Sequence, residues 1–212
     1  MLKALRESEI GKRLAPMVEK DPEGFIKKHR PRESSESGAG RGEAGEEGSP
    51  SPRKGAGEKP AMATLIEQSK AAQGRASAAA EQLPNRFSGK AVASDGQKTV
   101  SGWRTPPEGF AKATPEQVAD YSKQIGYDLK PEPWADQTGS GGFPGKYNAS
   151  HAEKQMAVLS PGDPIGVSKP MCPDCLGFFK QQAIATGRTE VVSDPSVTRI
   201  FSPDGSITEV PH

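Results

Sequence analysis

Residues 150–175 read SHAEKQMAVLSPGDPIGVSKPMCPDC. Ser150 can cap a helix that runs to about Leu159, and residues 175–185 carry apolar side chains at helical spacing. Between these helices, Ile165–Val167 has the composition of a short buried strand. The stretch therefore predicts helix, strand and helix. One motif, His-Ala-Glu, lies in the first turn of the first helix, and another, Cys-Pro-Asp-Cys, lies at the start of the second.

The two motifs supply three metal ligands and one additional carboxylate. A catalytic zinc site uses three protein ligands, typically imidazole nitrogen or thiolate sulfur, and leaves the fourth position for water. His151, Cys172 and Cys175 complete that set. The positive end of a helix disfavours protonated imidazole and stabilises thiolate. We therefore expect these residues to bind Zn²⁺, with Glu153 as the general acid and base that carries protons.

Two other interpretations of the motifs stay open. A non-enzymatic zinc-binding module would need a fourth protein ligand, for which His29, His212 or a carboxylate are the candidates. A redox-active cysteine pair is also possible at this spacing, but the flanking sequence lacks the thioredoxin-like pattern. Scattered at random, two cysteines would take this spacing only about one time in a hundred, which favours a chemical role.

The motifs resemble the cytidine deaminase-like superfamily, and more closely its toxin-associated branch, whose helix carries the His-Ala-Glu-Lys-Gln seen at 151–155. The similarity covers roughly the last 125 residues, about one domain. The chain departs from the superfamily at Met171, where proline usually precedes the first cysteine. The resemblance implies a three-layer α/β/α sandwich with a mixed sheet, and the alternation of predicted strands and helices also favours an α/β sandwich.

The same resemblance implies zinc-dependent hydrolytic deamination of a cytosine-type base in a nucleotide or nucleic acid, in a toxin effector. Its partners would be a nucleobase-containing substrate, DNA or RNA among them, and an immunity protein. A deaminase of free nucleosides or other small molecules is the alternative within enzymes. Asn148 is a candidate to contact the base or ribose, although an asparagine in a loop more often serves as a turn or cap residue. The oligomeric state is left open.

Other local patterns complete the predicted domain. Residues 87–103 alternate apolar and polar side chains around the turn dipeptide at 95–96, which predicts a hairpin. Thr114 begins a capping box that predicts a helix. Residues 130–147 form a proline- and glycine-rich loop whose aromatic side chains could border the pocket. Two further strands are expected within 197–210, around a turn at Pro203-Asp204-Gly205, after a short strand that begins at Glu190.

Composition divides the chain into three parts. Residues 33–60 contain almost only Ser, Gly, Glu, Pro, Arg and Lys, which cannot bury enough apolar surface to fold. We therefore expect a short helical arm at 1–32, a flexible, disordered linker with a possible helix at 33–83, and the zinc-dependent deaminase domain at 84–212.

Charge and hydropathy add weaker expectations. Residues 84–212 contain 13 Lys and Arg against 14 Asp and Glu, so the domain has no broad basic surface for nucleic acid. Seven cations could still form a local basic rim: Arg104, Lys146, Lys154, Lys169, Lys180, Arg188 and Arg199. The N-terminal region has no apolar run typical of a signal peptide or membrane span, which predicts a protein that is soluble and cytoplasmic as made, with no membrane partner. Secretion by a route without a signal peptide remains open.

Overall fold

The computed structural model describes residues 61–136 and 142–212. The predictions for the arm at 1–32 and for linker residues 33–60 lie outside them. The helices of the described residues are α1 (Met62–Glu81), α2 (Pro115–Gln124), α3 (Lys146–Ala149), α4 (Ala152–Leu159) and α5 (Pro173–Thr186). The strands are β1 (Val92–Ser94), β2 (Lys98–Val100), β3 (Ile165–Val167), β4 (Glu190–Ser193), β5 (Val197–Phe201) and β6 (Ile207–Pro211).

The six strands form one mixed sheet in the order β2-β1-β3-β4-β5-β6. Strands β3 and β4 are parallel, and every other neighbouring pair is antiparallel. The parallel pair requires a crossover, which α5 provides between β3 and β4. The cysteine motif therefore lies at the start of the crossover helix, directly after a central strand.

Helices cover both faces of this sheet. Ile165 and Val167 of β3 pack in one apolar cluster with residues of α4 and α5. Side chains alternate between the two faces along a strand, so Gly166 faces the opposite side, where its Cα closely approaches the backbone of α1. The predicted α/β sandwich with a mixed sheet is confirmed, with α1 as one outer layer and α4 and α5 as the other.

Helix α1 packs on the sheet through small residues. Ser69, Ala72 and Ala76 are fully buried, and the Ser69 hydroxyl donates to the carbonyl of Ile165 at 2.7 Å. The packed structure therefore begins earlier than residue 84, where the sequence analysis started the domain. The domain division stays a prediction, and we now propose that the folded domain extends back at least to the start of α1.

Gly166→Ala is expected to destabilise the protein by at least about 1–3 kcal/mol, because overpacking forces the backbone to shift. A Cβ on Gly166 would lie 1.8 Å from the backbone nitrogen of Gln73, so the helix would have to move off the sheet. Gly74→Ala in the same helix is the matched control. A Cβ at Gly74 meets no atom within 4 Å, so this change should stabilise the helix by roughly 0.5–1 kcal/mol. Urea unfolding of both variants measures the difference, and equal stabilities would show that α1 does not pack here.

Several elements predicted from local sequence are confirmed. The turn at Asp95-Gly96 joins β1 and β2, and the turn at Pro203-Asp204-Gly205 joins β5 and β6. The capping box at Thr114 is formed in both directions, since its hydroxyl accepts from the Gln117 N–H at 3.2 Å and its own N–H donates to the Gln117 side chain at 2.8 Å. Across the described residues, none of the helices combines the length and apolar character needed to cross a membrane.

Candidate metal centre and active site

The starts of two helices meet on one side of the sheet. His151 is the N-cap residue of α4, and Cys172 is the N-cap residue of α5. The prediction of Ser150 as the cap of α4 is wrong by one residue, because Ser150 is the C-cap of the short helix α3. Both candidate metal-binding motifs lie at the start of a helix, as predicted.

The three predicted ligand atoms converge. The Nδ1 atom of His151 lies 3.2 Å from Sγ of Cys175 and 3.4 Å from Sγ of Cys172. The three atoms all lie within 4.8 Å of one another. A tetrahedral zinc ion, with usual bond lengths, places nitrogen and sulfur ligands about 3.6 Å apart. The donor set and its spacing therefore fit zinc with only small movements.

The two cysteine thiols have pKa values shifted in opposite directions. A hydrogen bond with Cys175 outweighs burial and, with help from His151, lowers the pKa of Cys172 to about 3. Burial raises the pKa of Cys175 well above its usual value. Two adjacent thiols in this environment would share a single negative charge, whereas a divalent cation would hold both as thiolates.

Glu153 lies in the cavity beside these ligands. Its side chain is nearly buried, and it lines a cavity of about 250 Å³ together with His151 and Cys172. Within residues 61–136 and 142–212, no group donates a hydrogen bond to its carboxylate. The carboxylate can therefore form hydrogen bonds with a molecule in the cavity.

One comparison with known proteins agrees with this geometry. A family described as single-strand DNA deaminase toxin A, C-terminal, matches residues 98–157. The match runs from β2 into α4 and includes His151 and Glu153, and it ends before the cysteines, which the structure brings to the same site. This match supports a toxin-associated deaminase of the cytidine deaminase-like type. No curated protein matches the chain closely enough to add a relative.

The lysine that follows Glu153 is fully buried. Lys154 pairs with the carboxylate of Asp174, between the two cysteines, and donates to the carbonyl of Asn148 at 2.9 Å. Burial lowers the pKa of the Lys154 ammonium, but its proximity to Cys175 and its ion pair with Asp174 raise the pKa overall. The ion pair therefore links α4 to α5 next to the candidate metal ligands in the chain.

Asp174 has further partners that fix its position. Its Oδ1 atom accepts from the Tyr127 hydroxyl at 2.9 Å and from the Lys130 N–H at 3.3 Å. Burial opposes its ionisation, but Lys154 and these donors lower its pKa. This ion pair was not predicted from the sequence, because charged residues at helix starts are usually exposed.

Lys154→Met is expected to lower the free energy of unfolding by about 3–5 kcal/mol, because it leaves Asp174 buried and unpaired. Asp174→Asn keeps the oxygen that accepts from Tyr127, and the double variant should cost less than the two single changes together. Glu209→Gln is the control: it breaks an exposed pair with Arg199 and should cost at most about 1 kcal/mol. If urea unfolding shows that the stability losses of the two single variants add up in the double variant, Lys154 and Asp174 are not coupled.

A second acidic residue holds the loop before the cysteines. The Asp194 carboxylate accepts from the backbone N–H of Met171 at 3.2 Å and pairs with Arg199 at 2.5 Å. Although burial opposes ionisation, these contacts and those from Ser196 lower its pKa to about 2. Proline has no N–H to donate, so Met171 in place of the usual proline allows this contact. Asp194 therefore positions the chain directly before Cys172.

The structure gives Asn148 a different environment from the one predicted. It is buried, its amide nitrogen donates to the carbonyl of Lys130 at 2.8 Å, and it does not line the cavity that contains Glu153. The backbone carbonyl of Asn148 accepts a hydrogen bond from the Lys154 ammonium. These contacts give Asn148 a role in positioning Lys154, and its direct contact with substrate stays an untested prediction.

Only part of the predicted basic rim surrounds the cavities. Lys169 lines the cavity of Glu153, and Arg104 and Lys146 line an adjoining one. Lys90, which was not predicted, lines both. The remaining cations have other positions: Lys154 is buried, Arg199 is paired, and Lys180 and Arg188 line neither cavity.

Proposed function

We propose that this deaminase is a zinc-dependent hydrolase that converts cytosine to uracil in single-stranded DNA. The observation that supports it most is the convergence of three ligand atoms, from His151, Cys172 and Cys175, within 4.8 Å of one another, beside the carboxylate of Glu153. The matched family is described as acting on single-stranded DNA. A single strand also presents an unpaired base, so the energy needed to move it into the cavity is lower than for a duplex.

The proposed mechanism assigns one task to each residue. The three ligands hold zinc, which supplies a water activated for nucleophilic attack when it is bound. Glu153 would take one proton from that water and pass it to N3 of cytosine as the oxygen bonds to C4. It would then carry the remaining hydroxyl proton to the exocyclic nitrogen, so that the C4–N bond breaks and ammonia leaves. The ion pair between Lys154 and Asp174 fixes the position of α4 relative to α5, so that Glu153 stays beside the ligands.

A non-enzymatic zinc module receives less support. Such a module needs a fourth protein ligand, and in the described part of the chain no His, Cys, Asp or Glu joins the three ligands as a fourth member of the cluster. His212, one of the spare imidazoles, is instead hydrogen bonded through Nε2 to the Thr198 hydroxyl at 2.9 Å. His29 lies outside the described residues.

The toxin-associated type also supports the proposal of a protein partner. An effector that deaminates DNA would damage the cell that makes it, so we propose an immunity protein that blocks the activity there. A free-nucleoside deaminase would need no such partner.

A substrate panel tests the proposal. Zinc-loaded protein is incubated with cytidine, adenosine, single-stranded DNA, duplex DNA and RNA, and the deaminated products are quantified by mass spectrometry. Uracil in single-stranded DNA, formed faster than in the duplex or in RNA, is the expected result. Conversion of cytidine without conversion of any oligonucleotide would replace the proposal by the small-molecule alternative. Absence of product from every substrate, in folded zinc-loaded protein, would contradict the proposed enzyme.

A further inference from the structure

Two exposed aromatic side chains stand beside the active-site cavity. Trp134 is 75% exposed and Tyr147 is 38% exposed, and they are the most exposed aromatic residues of the described part of the chain. Their ring centroids lie 5.2 Å apart at an angle of 51°. Large aromatic side chains usually bury 150–250 Å² on folding, so folding alone does not account for this aromatic pair at the surface.

Tyr147 of the aromatic pair lies between the active site and a second cavity, which Ala135 and Asp136, next to Trp134 in the chain, also line. Tyr147 contacts His151 edge-on, with ring centroids 5.5 Å apart, and it lines the cavity that contains Glu153. A second cavity, of about 320 Å³, shares Lys90, Gly102, Tyr147 and Ser150 with the first. The two cavities therefore adjoin at Tyr147, so a nucleotide strand with one base in the first could place its neighbour at the second.

A buried carboxylate fixes the positions of the two aromatic residues. Asp136 accepts from the backbone N–H of Tyr147 and of Gly145, each at 2.8 Å, and from that of Glu132 at 2.7 Å. These hydrogen bonds connect the loop that carries Trp134 to the start of α3, which carries Tyr147. Burial opposes ionisation of Asp136, but these donors lower its pKa, so the carboxylate is charged and its charge is balanced by the N–H groups.

The second cavity carries positive charge. Lys90 and Arg104 are exposed at its edge, and Lys169 is exposed at the first cavity. The only carboxylate that lines the second cavity, among the described residues, is Asp136, which already binds three N–H groups. Glu132 lies nearby and accepts from the Trp134 indole N–H at 2.9 Å, which orients that ring. Aromatic faces next to cationic groups are the features that bind single-stranded nucleic acid.

We propose that the second cavity and the aromatic pair bind the nucleotide adjacent to the target cytosine. The base of that nucleotide stacks on Trp134 and Tyr147, and its phosphate lies near Lys90 and Arg104. This subsite rests on the proposed action on single-stranded DNA. It gives the enzyme a contact that free cytidine lacks, and it makes the rate depend on the base next to the target.

Trp134→Ala tests the subsite in binding and in turnover. In the Glu153→Gln background, the Kd for a fluorescently labelled single-stranded oligodeoxynucleotide should rise about 5- to 150-fold, the range for loss of one stacked base. Trp134→Phe keeps an aromatic face and should restore most of the affinity. With Glu153 intact, Trp134→Ala should raise KM for the oligonucleotide more than it lowers kcat, and should reduce the preference for the neighbouring base.

Exposed residues elsewhere provide matched controls. Ile184→Ala removes an exposed apolar side chain of α5, and Lys180→Ala removes an exposed cation that lines neither cavity. Both should leave the Kd unchanged. Lys90→Ala and Arg104→Ala should each reduce the slope of log Kd against log salt by about 0.7, the value for one phosphate contact on a single strand.

The outcomes separate the subsite from the proposed function. Deamination of single-stranded DNA with an unchanged Kd, KM and sequence preference in folded Trp134→Ala would overturn the subsite and leave the function in place. Weaker oligonucleotide binding by Trp134→Ala in a protein that deaminates no DNA would support the subsite and overturn the function. An equal loss of oligonucleotide affinity in Trp134→Ala and in Ile184→Ala would also overturn the subsite.

Discussion

Glu153→Gln is expected to reduce deamination by at least about 10²- to 10⁴-fold while zinc remains bound. The amide has nearly the shape of the carboxylate but cannot carry the proton from water to the ring, a role with this typical effect on rate. Glu153 lies outside the group of three ligand atoms, so its replacement should not empty the metal site. Zinc content by mass spectrometry and single-turnover deamination, both on the same preparation, measure the two effects.

Glu209→Gln provides the control for loss of a carboxylate, because Glu209 is exposed on β6 and lines neither cavity. It should keep full activity. Near-normal turnover by Glu153→Gln would rule out the proposed role, and loss of zinc from that variant would mean that Glu153 is itself a ligand.

Cys172→Ala with Cys175→Ala is expected to abolish both zinc binding and deamination. The chain has two cysteines in total, so no third thiol can replace them. Since zinc would connect the starts of α4 and α5, its loss should also lower stability, and removal of zinc from the unmodified protein with a chelator should reproduce that effect. Metal analysis, deamination and thermal unfolding of each protein measure the three losses.

Histidine variants extend this experiment. His151→Ala should lose zinc in the same way, whereas His212→Ala should retain it, because His212 is hydrogen bonded to Thr198 away from the cluster. Full zinc occupancy in the double cysteine variant would exclude the site proposed here. A loss of zinc from His212→Ala would point to a four-ligand structural site.

Elements that depend on local chemistry could be predicted from the sequence. The hairpin turn at Asp95-Gly96 and the capping box at Thr114 use side chains within three residues of one another, so the local sequence contains the whole interaction. The metal-binding motifs belong to the same class, because each places its residues in a single helix turn. Only the proximity of the two motifs depends on the tertiary structure, which brings the starts of the two helices together.

Helix α1 shows why other parts could not be predicted. Its buried residues are Ser69, Ala72 and Ala76, so the side that packs on the sheet is scarcely more apolar than the rest of the helix. The packing depends on the missing side chain of Gly166, which lies far along the chain and allows the backbones to approach closely. Hydrophobic periodicity carries no signal for a contact made by small residues.

Long-range polar contacts were equally hidden in the sequence. Lys154 and Asp174 are twenty residues apart, and each alone would be expected at the surface. Asn148 was chosen as a substrate contact by residue type, but the fold directs its amide to Lys130. In both cases the partner lies far along the chain, so tertiary packing selects it and no local pattern encodes it.

The coordination of the metal tests the central claim most directly. X-ray absorption at the zinc edge of the purified protein should show two sulfur ligands at about 2.3 Å and two nitrogen or oxygen ligands at about 2.0–2.1 Å, one from His151 and one from exchangeable water. Adding a cytosine-containing single strand to the Glu153→Gln variant should change only the exchangeable ligand. Four protein ligands, or no zinc in folded protein, would contradict the account.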